Sequence, residues 1–257
     1  MKTHLSDQLK KLRLPGMRDN FDLRLQEAQA SQLGHEQFFE LLVHDELALR
    51  SDRKIARALK TARFTNLKPL DHFDWQFNPN INRQQIHELA TCAYIRQHSD
   101  LLMIGPPGTG KTHLAQALGY EAIKRGHSVR YVSIFDLVRE LMDDEALISG
   151  RLLGKYLKPD LLIIDDMGLK QLPPRAGEHL FEVIMRRYEL RSTLMTSNRP
   201  IEDWGQLIGD VPAAGAILDR LLQSAKVIPF KGRSYRLRNE KPIEEKSVDE
   251  QAKEANL

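Results

Sequence analysis

Eight consecutive residues, Gly105-Pro106-Pro107-Gly108-Thr109-Gly110-Lys111-Thr112, set glycines, a lysine and a hydroxyl at the spacing G-x-x-x-x-G-K-[ST]. Glycines at these positions let successive backbone N–H groups turn inward around phosphate oxygens, at the start of a helix that favours anions. Lys111 can then reach the β and γ phosphates of a nucleoside triphosphate, and the Thr112 hydroxyl is placed to coordinate Mg²⁺. His113 follows on the same helix; it is grouped with this run, with packing as its expected duty. A second feature is Leu161-Leu162-Ile163-Ile164-Asp165-Asp166, an apolar run that ends in two carboxylates. A buried parallel strand needs no charge, and ligands gather at the C-terminal edge of open sheets. Asp165 is therefore read as an outer-shell Mg²⁺ partner and Asp166 as the group that orients an attacking water. Most ATPases of this kind carry Glu in the second place, and the shorter Asp predicts slow hydrolysis.

These groups need a strand before the loop, a helix after it and a sheet that brings Asp165 alongside. The pattern supplies all three. Leu101–Ile104 and residues 129–132, 161–164, 193–195 and 227–230 read as strands, separated by helix-sized intervals that indicate βαβ units and a five-stranded parallel sheet. Helices are expected over Lys111–Lys124 and over 83–98, the latter holding Cys92 as a core residue. The first 66 residues show helical periodicity alone, with Leu5, Leu9 and Leu12 in one stretch and Phe21, Leu25 and Ala28 in the next. Leu14-Pro15-Gly16 reads as the turn between them. A longer helix is expected from about 36 to 63, with a possible break at the Ser51-Asp52 cap. The division that follows is 1–66 as a small all-helical N-terminal domain, 67–238 as an α/β core, and 239–257 as a polar, frayed tail.

Composition closes off other classes. A single cysteine cannot form an internal disulfide, which removes the disulfide-stapled secreted class. The longest apolar runs are four residues, too short to span a membrane, and the N-terminus has no apolar signal region. A cytoplasmic protein is expected. The net charge of +3 says little by itself, so the placement of charge matters more.

The phosphate loop, the Asp165-Asp166 strand, Thr196-Ser197-Asn198-Arg199, Leu218-Asp219-Arg220-Leu221-Leu222 and Lys231-Gly232-Arg233-Ser234-Tyr235-Arg236 occur in that order. Together they resemble the IstB-type transposition helper ATPases, AAA+ proteins similar to the DnaC helicase loaders. The resemblance runs from about residue 5 to 238. It implies an AAA+ P-loop NTPase core, ATP and Mg²⁺ as ligands, and oligomerisation with ATP on duplex DNA without strong sequence preference. It also implies the transposase of the same element as partner, with a replicative helicase loader as the alternative. Asn198 matches the first sensor, which helps place the water, and Arg220 matches the arginine finger that acts on ATP of a neighbouring subunit. Arg236 matches the second sensor, with Arg233 as its rival. The segment holding Trp75 falls near the adenine by resemblance, or serves as a hydrophobic plug. Only 21 residues follow Arg236, which implies a reduced or absent C-terminal lid.

Two basic stretches suit a phosphate backbone. Arg50, Arg53, Arg57 and Lys60 lie within about 80° on a helical wheel, opposite Ile55, Ala58, Leu59 and Ala62. The second lies in residues 135–158, which hold two helical patterns where a minimal crossover needs one; Arg151, Lys155 and Lys158 share a side there, away from Leu152, Leu153 and Tyr156. A solvated helix face remains the competing reading of both.

Overall fold

The computed structural model describes residues 3–147, 152–209 and 211–238. The chain opens with α1 (Thr3–Lys11), α2 (Pro15–Ala30) and the long α3 (His35–Ala62), then α4 (Arg83–Leu89) and α5 (Ala93–Arg96). The core continues as β1 (Leu101–Ile104), α6 (Lys111–Lys124), β2 (Val129–Ser133), α7 (Ile134–Leu147), α8 (Leu153–Leu157) and β3 (Leu161–Met167). It is completed by α9 (Ala176–Arg187), β4 (Ser192–Ser197), α10 (Trp204–Ile208), α11 (Val211–Ser224) and β5 (Lys226–Pro229). All strand pairs are parallel, in the order β2-β3-β4-β1-β5.

The sheet is buried on both faces, and alternate residues supply the two. Leu101, Met103, Leu161 and Ile163 pack with α6 and with the α4–α5 region. Leu102, Leu162 and Ile164 point the other way, into a cluster with α7, α9 and α11. This period of two is what a doubly covered parallel sheet demands. Ile55, Ala58, Leu59 and Ala62 join the first cluster, so the second half of α3 lies on the core.

Three local expectations are corrected. The helix over 36–63 is unbroken through Ser51, because the stretch contains neither Gly nor Pro to interrupt it. Pro15 and Gly16 belong to α2, since a proline is compatible with the first helical turn; the turn falls earlier, at Leu12 to Leu14. The helix expected over 83–98 is split at Cys92, which is fully buried in a left-handed conformation with φ 63°. The Thr91 hydroxyl donates to the Glu88 carbonyl at 2.7 Å, competing with the ladder at that point.

The helical pair α2–α3 is fastened by two acids of α3. Glu46 Oε2 accepts the Gly16 and Met17 N–H groups at 2.6 and 3.3 Å, capping α2 where Leu14 offers no side-chain cap. The Arg24 guanidinium grips Asp45 with two bonds of 2.8 and 2.7 Å and holds that carboxyl below its ordinary range. Residues 239–257, expected as a frayed tail, lie outside the described residues, so the lid expectation falls there too. Among the described residues no helix is long and apolar enough to cross a membrane.

Candidate active site

The loop from Gly105 to Gly110 leaves the C-terminal end of β1 and runs into α6. Its shape depends on glycine at three points. Gly105, Gly108 and Gly110 have φ of 156°, 77° and 102°. A Cβ at Gly105 would sit 2.1 Å from the Phe230 carbonyl oxygen, one at Gly108 2.1 Å from Ser234 Oγ, and one at Gly110 2.7 Å from the Phe73 ring. Other parts of the chain therefore clasp the loop from outside. Tyr235 N–H donates to the Gly108 carbonyl at 2.9 Å, and buried Asn78 donates its amide to the Thr109 and Arg233 carbonyls at 3.3 and 3.4 Å.

Inside the loop, Lys111 Nζ donates to the Gly105 and Pro106 carbonyls at 2.6 and 2.7 Å. Burial lowers its ammonium to about 8, against the opposing pull of Asp165 and Asp166. Thr112 Oγ1 donates to Asp165 Oδ1 at 3.1 Å. Asp165 is fully buried and takes two further hydroxyls, Thr196 on Oδ1 and Tyr131 on Oδ2, the latter at 2.5 Å.

A bulge in β3 explains how both acids serve one site. Ile164 pairs with Met195 and Met167 with Ser197, so β3 spends one more residue than β4 over this interval. In a regular strand Asp165 and Asp166 would face opposite sides; the bulge re-aims the chain, with Asp166 at φ 67°. Its N–H donates to Thr196 Oγ1 at 3.1 Å. Burial and the neighbouring Asp165 raise the Asp166 carboxyl, while Arg236 and Lys111 act the other way. Thr112, Asp165, Asp166 and Arg236 line one cavity of about 380 Å³ with Tyr131, Thr65 and Arg63. Arg233 instead lies over the Phe77 ring at 5.8 Å.

Asn198 follows β4, and its N–H donates to the Met167 carbonyl at 2.8 Å, joining the ends of β4 and β3. Arg220 does not line this cavity. It lies on α11 with buried Ile217 and Leu221 beneath it, pairs with Asp219 at 2.5 Å and covers Tyr188 at 5.6 Å. His113 turns to the linker, its Nε2 3.3 Å from the Pro69 carbonyl and its ring 5.1 Å from Phe73. Trp75 packs between Phe73 and His87, with Arg83 over its ring.

The donor set suits Mg²⁺. A hydroxyl and one anchored carboxylate fit an ion that keeps several waters and shares substrate phosphates; among the described residues no group of three His, Cys, Asp or Glu side chains is gathered. Of the basic residues, Arg53, Arg57 and Lys60 are exposed along α3. Arg50 is drawn aside, its Nε 2.7 Å from Glu46 Oε1 and a terminal nitrogen 3.1 Å from the Arg13 carbonyl. Lys155 pairs with Glu140 at 3.1 Å, Lys158 is exposed, and Arg151 lies outside the described residues.

Residues 7–242 match the family model for IstB-like ATP binding proteins. The chain belongs to that family. An ATP-binding protein of insertion sequence IS5376 from Geobacillus stearothermophilus is 36% identical over 252 residues, covering 97% of this chain and 100% of that protein. The insertion sequence IS21 ATP-binding protein of Pseudomonas aeruginosa is 34% identical over 236 residues, 91% of this chain and 88% of its own length. Among solved structures, the DnaC helicase loader aligns with TM-score 0.51 and 22% identity, over 58% of this chain and 87% of that one. That likeness is one of fold: a five-stranded parallel α/β core carrying the phosphate loop, preceded, in this IstB-like chain, by a helical N-terminal region. Tyr131, Asn78 and Phe73 belong to no motif, and Ser234 enters only as a member of the 231–236 run. Tyr131 alone left a trace, as a hydroxyl within a strand otherwise bound for the core.

Proposed function

We propose that this IstB-like chain is an ATP-driven helper of transposition, which oligomerises on duplex DNA with little sequence preference and recruits or activates the transposase of its element in the cytoplasm. The observation that carries this reading is the Thr112–Asp165 contact inside a phosphate loop, in a chain similar along its whole length to an insertion-sequence ATP-binding protein.

In this reading the loop N–H groups and Lys111 hold the triphosphate, and Thr112 with Asp165 holds Mg²⁺. When bound, the ion draws charge from the phosphate oxygens. Asp166, its carboxyl raised by burial and by Asp165, accepts a proton from the water that attacks the γ-phosphorus. The bond to the bridging oxygen breaks and ADP leaves. Asn198 helps place that water, Arg236 faces the phosphates, and Arg220 of a neighbouring subunit stabilises the developing charge. A finger supplied across subunits makes hydrolysis a property of the assembly, and the shorter Asp166 keeps it slow. Turnover then times disassembly or partner activation. Arg53, Arg57, Lys60, Lys155 and Lys158 supply the sequence-independent contacts to DNA phosphates.

The decisive experiment measures the mass of complexes formed with duplex or single-stranded DNA, in ATP or ADP. A large species on duplex only with ATP is expected. Preference for single strands, or dependence on a helicase, would overturn the reading in favour of a helicase loader.

A further inference from the structure

We infer that Tyr131 is a positioning residue for Asp165, and that its phenol ties this carboxylate to the end of α3 through residues 64–66. The inference rests on the Mg-nucleotide reading of the site given above.

Asp165 has two oxygens and no exposure. Oδ1 is shared by the Thr112 and Thr196 hydroxyls, while Oδ2 accepts the Tyr131 phenol at 2.5 Å. The last carboxyl torsion is a broad, roughly two-fold well. Thr112 must present its oxygen to a cation on one side of Asp165, so the carboxylate plane has to be fixed. The phenol fixes it from the opposite oxygen. Tyr131 is buried, and its phenol is the donor to a carboxylate oxygen that can only accept.

The phenol is itself braced by the segment that leaves α3. The Phe64 ring lies 6.0 Å from the Tyr131 ring, wedged under α6 so closely that a Cβ on Gly119 would come within 2.9 Å of it. Thr65 Oγ1 accepts from Gln116 Nε2 at 2.9 Å, and the Asn66 N–H donates to Gln116 Oε1 at 3.3 Å. Gln116 stands one turn beyond Thr112 on α6. Thr65 also lines the same cavity as Tyr131 and Asp165. Both groups assigned to the cation are thus backed by residues that grip one short segment, and that segment continues the helix bearing the basic stripe.

The test uses the full chain, Tyr131→Phe, and equilibrium binding of a fluorescent ATP analogue in EDTA and across a Mg²⁺ titration. The expected result is unchanged affinity in EDTA, with the Mg²⁺ midpoint raised about 10-fold or more, as for other residues that orient metal-binding groups. In an Asp165→Asn background the same change should add nothing, because the phenol acts through that carboxylate. An unmoved midpoint, or equal weakening in EDTA and in Mg²⁺, overturns the inference; the second outcome would mean packing alone. Thr65→Val, at an exposed position, carries the test if Tyr131→Phe does not fold. It should shift the midpoint in the same direction, and an unchanged midpoint overturns the link to α3. A wild-type chain without any Mg²⁺-dependent gain would bring down the reading of the site together with this inference. A wild-type gain that Tyr131→Phe leaves intact brings down the inference alone.

Discussion

Thr112 and Asp165 are 53 positions apart in sequence, yet the threonine hydroxyl donates to the carboxylate across 3.1 Å. The contact joins the first turn of α6 to the bulged end of β3, although β4 and not β1 is the neighbour of β3. A strand inserted between the loop-bearing strand and the acidic strand leaves a gap at the sheet edge. Side chains from both banks meet over it, and Thr196 on the inserted strand supplies a hydroxyl between them.

Lys111 gives the site a pH dependence of known sign. Burial depresses its ammonium from 10.5 to about 8, so the free protein loses that charge as pH rises through about 8. Phosphate favours the charged form. Nucleotide affinity should hold below pH 8 and fall above it, and binding between about 8 and 10.5 should take up a proton. Titration calorimetry in buffers of different ionisation enthalpy reads this directly. Affinity that is flat across this range, with no proton uptake, would contradict it. Lys111→Ala should remove both the pH dependence and ATP-dependent assembly.

Asp166→Asn keeps a side chain of the same shape at the bulge and removes the proton acceptor. Nucleotide should still bind, while phosphate release drops by about 10²–10⁴-fold, the usual contribution of a positioned base. Assemblies formed with ATP should persist. Rapid phosphate release by the variant would assign the water to another group.

The phosphate loop and the acidic strand were legible because their chemistry is local: eight adjacent residues, and a charge pair closing an apolar run. The strands β1 and β3 came through for the same reason, since burial on two faces leaves the apolar runs Leu101–Ile104 and 161–164. What escaped depends on long-range placement. Tyr131 matters because β2 lies beside β3, and Asn78 matters because a loop before the core crosses the phosphate loop. Neither neighbourhood is written in local spacing. The bulge at Asp165-Asp166 is likewise a property of the β3–β4 pairing. The stripe on α3 was visible as a charge pattern, but the diversion of Arg50 required knowing that Glu46 faces the start of α2.

Gly16 offers a test by sign. In an open helix, replacing glycine with alanine stabilises by about 1 kcal/mol. Here a Cβ would meet Glu46 Cα at 2.6 Å and the Asp45 carbonyl oxygen at 2.7 Å, where α2 crosses α3. Gly16→Ala should instead cost about 1–3 kcal/mol through overpacking, read from the urea midpoint of the whole chain. A stabilised variant would mean that the two helices do not approach as described.

The basic stripe on α3 can be separated by how its exposed members are held, since Arg50 is tied to the helical pair although 56% of its side chain is exposed. Arg53, Arg57 and Lys60 are exposed, and Arg57 Nε donates to the Arg53 carbonyl at 3.2 Å. Arg50 is held by Glu46 and by the Arg13 carbonyl, so moving it onto a phosphate would break contacts that secure the helical pair. If the stripe follows a duplex, removing one phosphate contact lowers the slope of log affinity against log salt by about 0.9. Arg57→Gln and Lys60→Gln should each flatten the slope by about that amount and weaken unrelated duplexes equally. Arg50→Gln should leave the slope near that of the wild type and lower the urea midpoint instead. Fluorescence anisotropy over a salt series, on two duplexes of unrelated sequence, separates these outcomes. Equal slopes for all three variants and the wild type would move the DNA contact off α3.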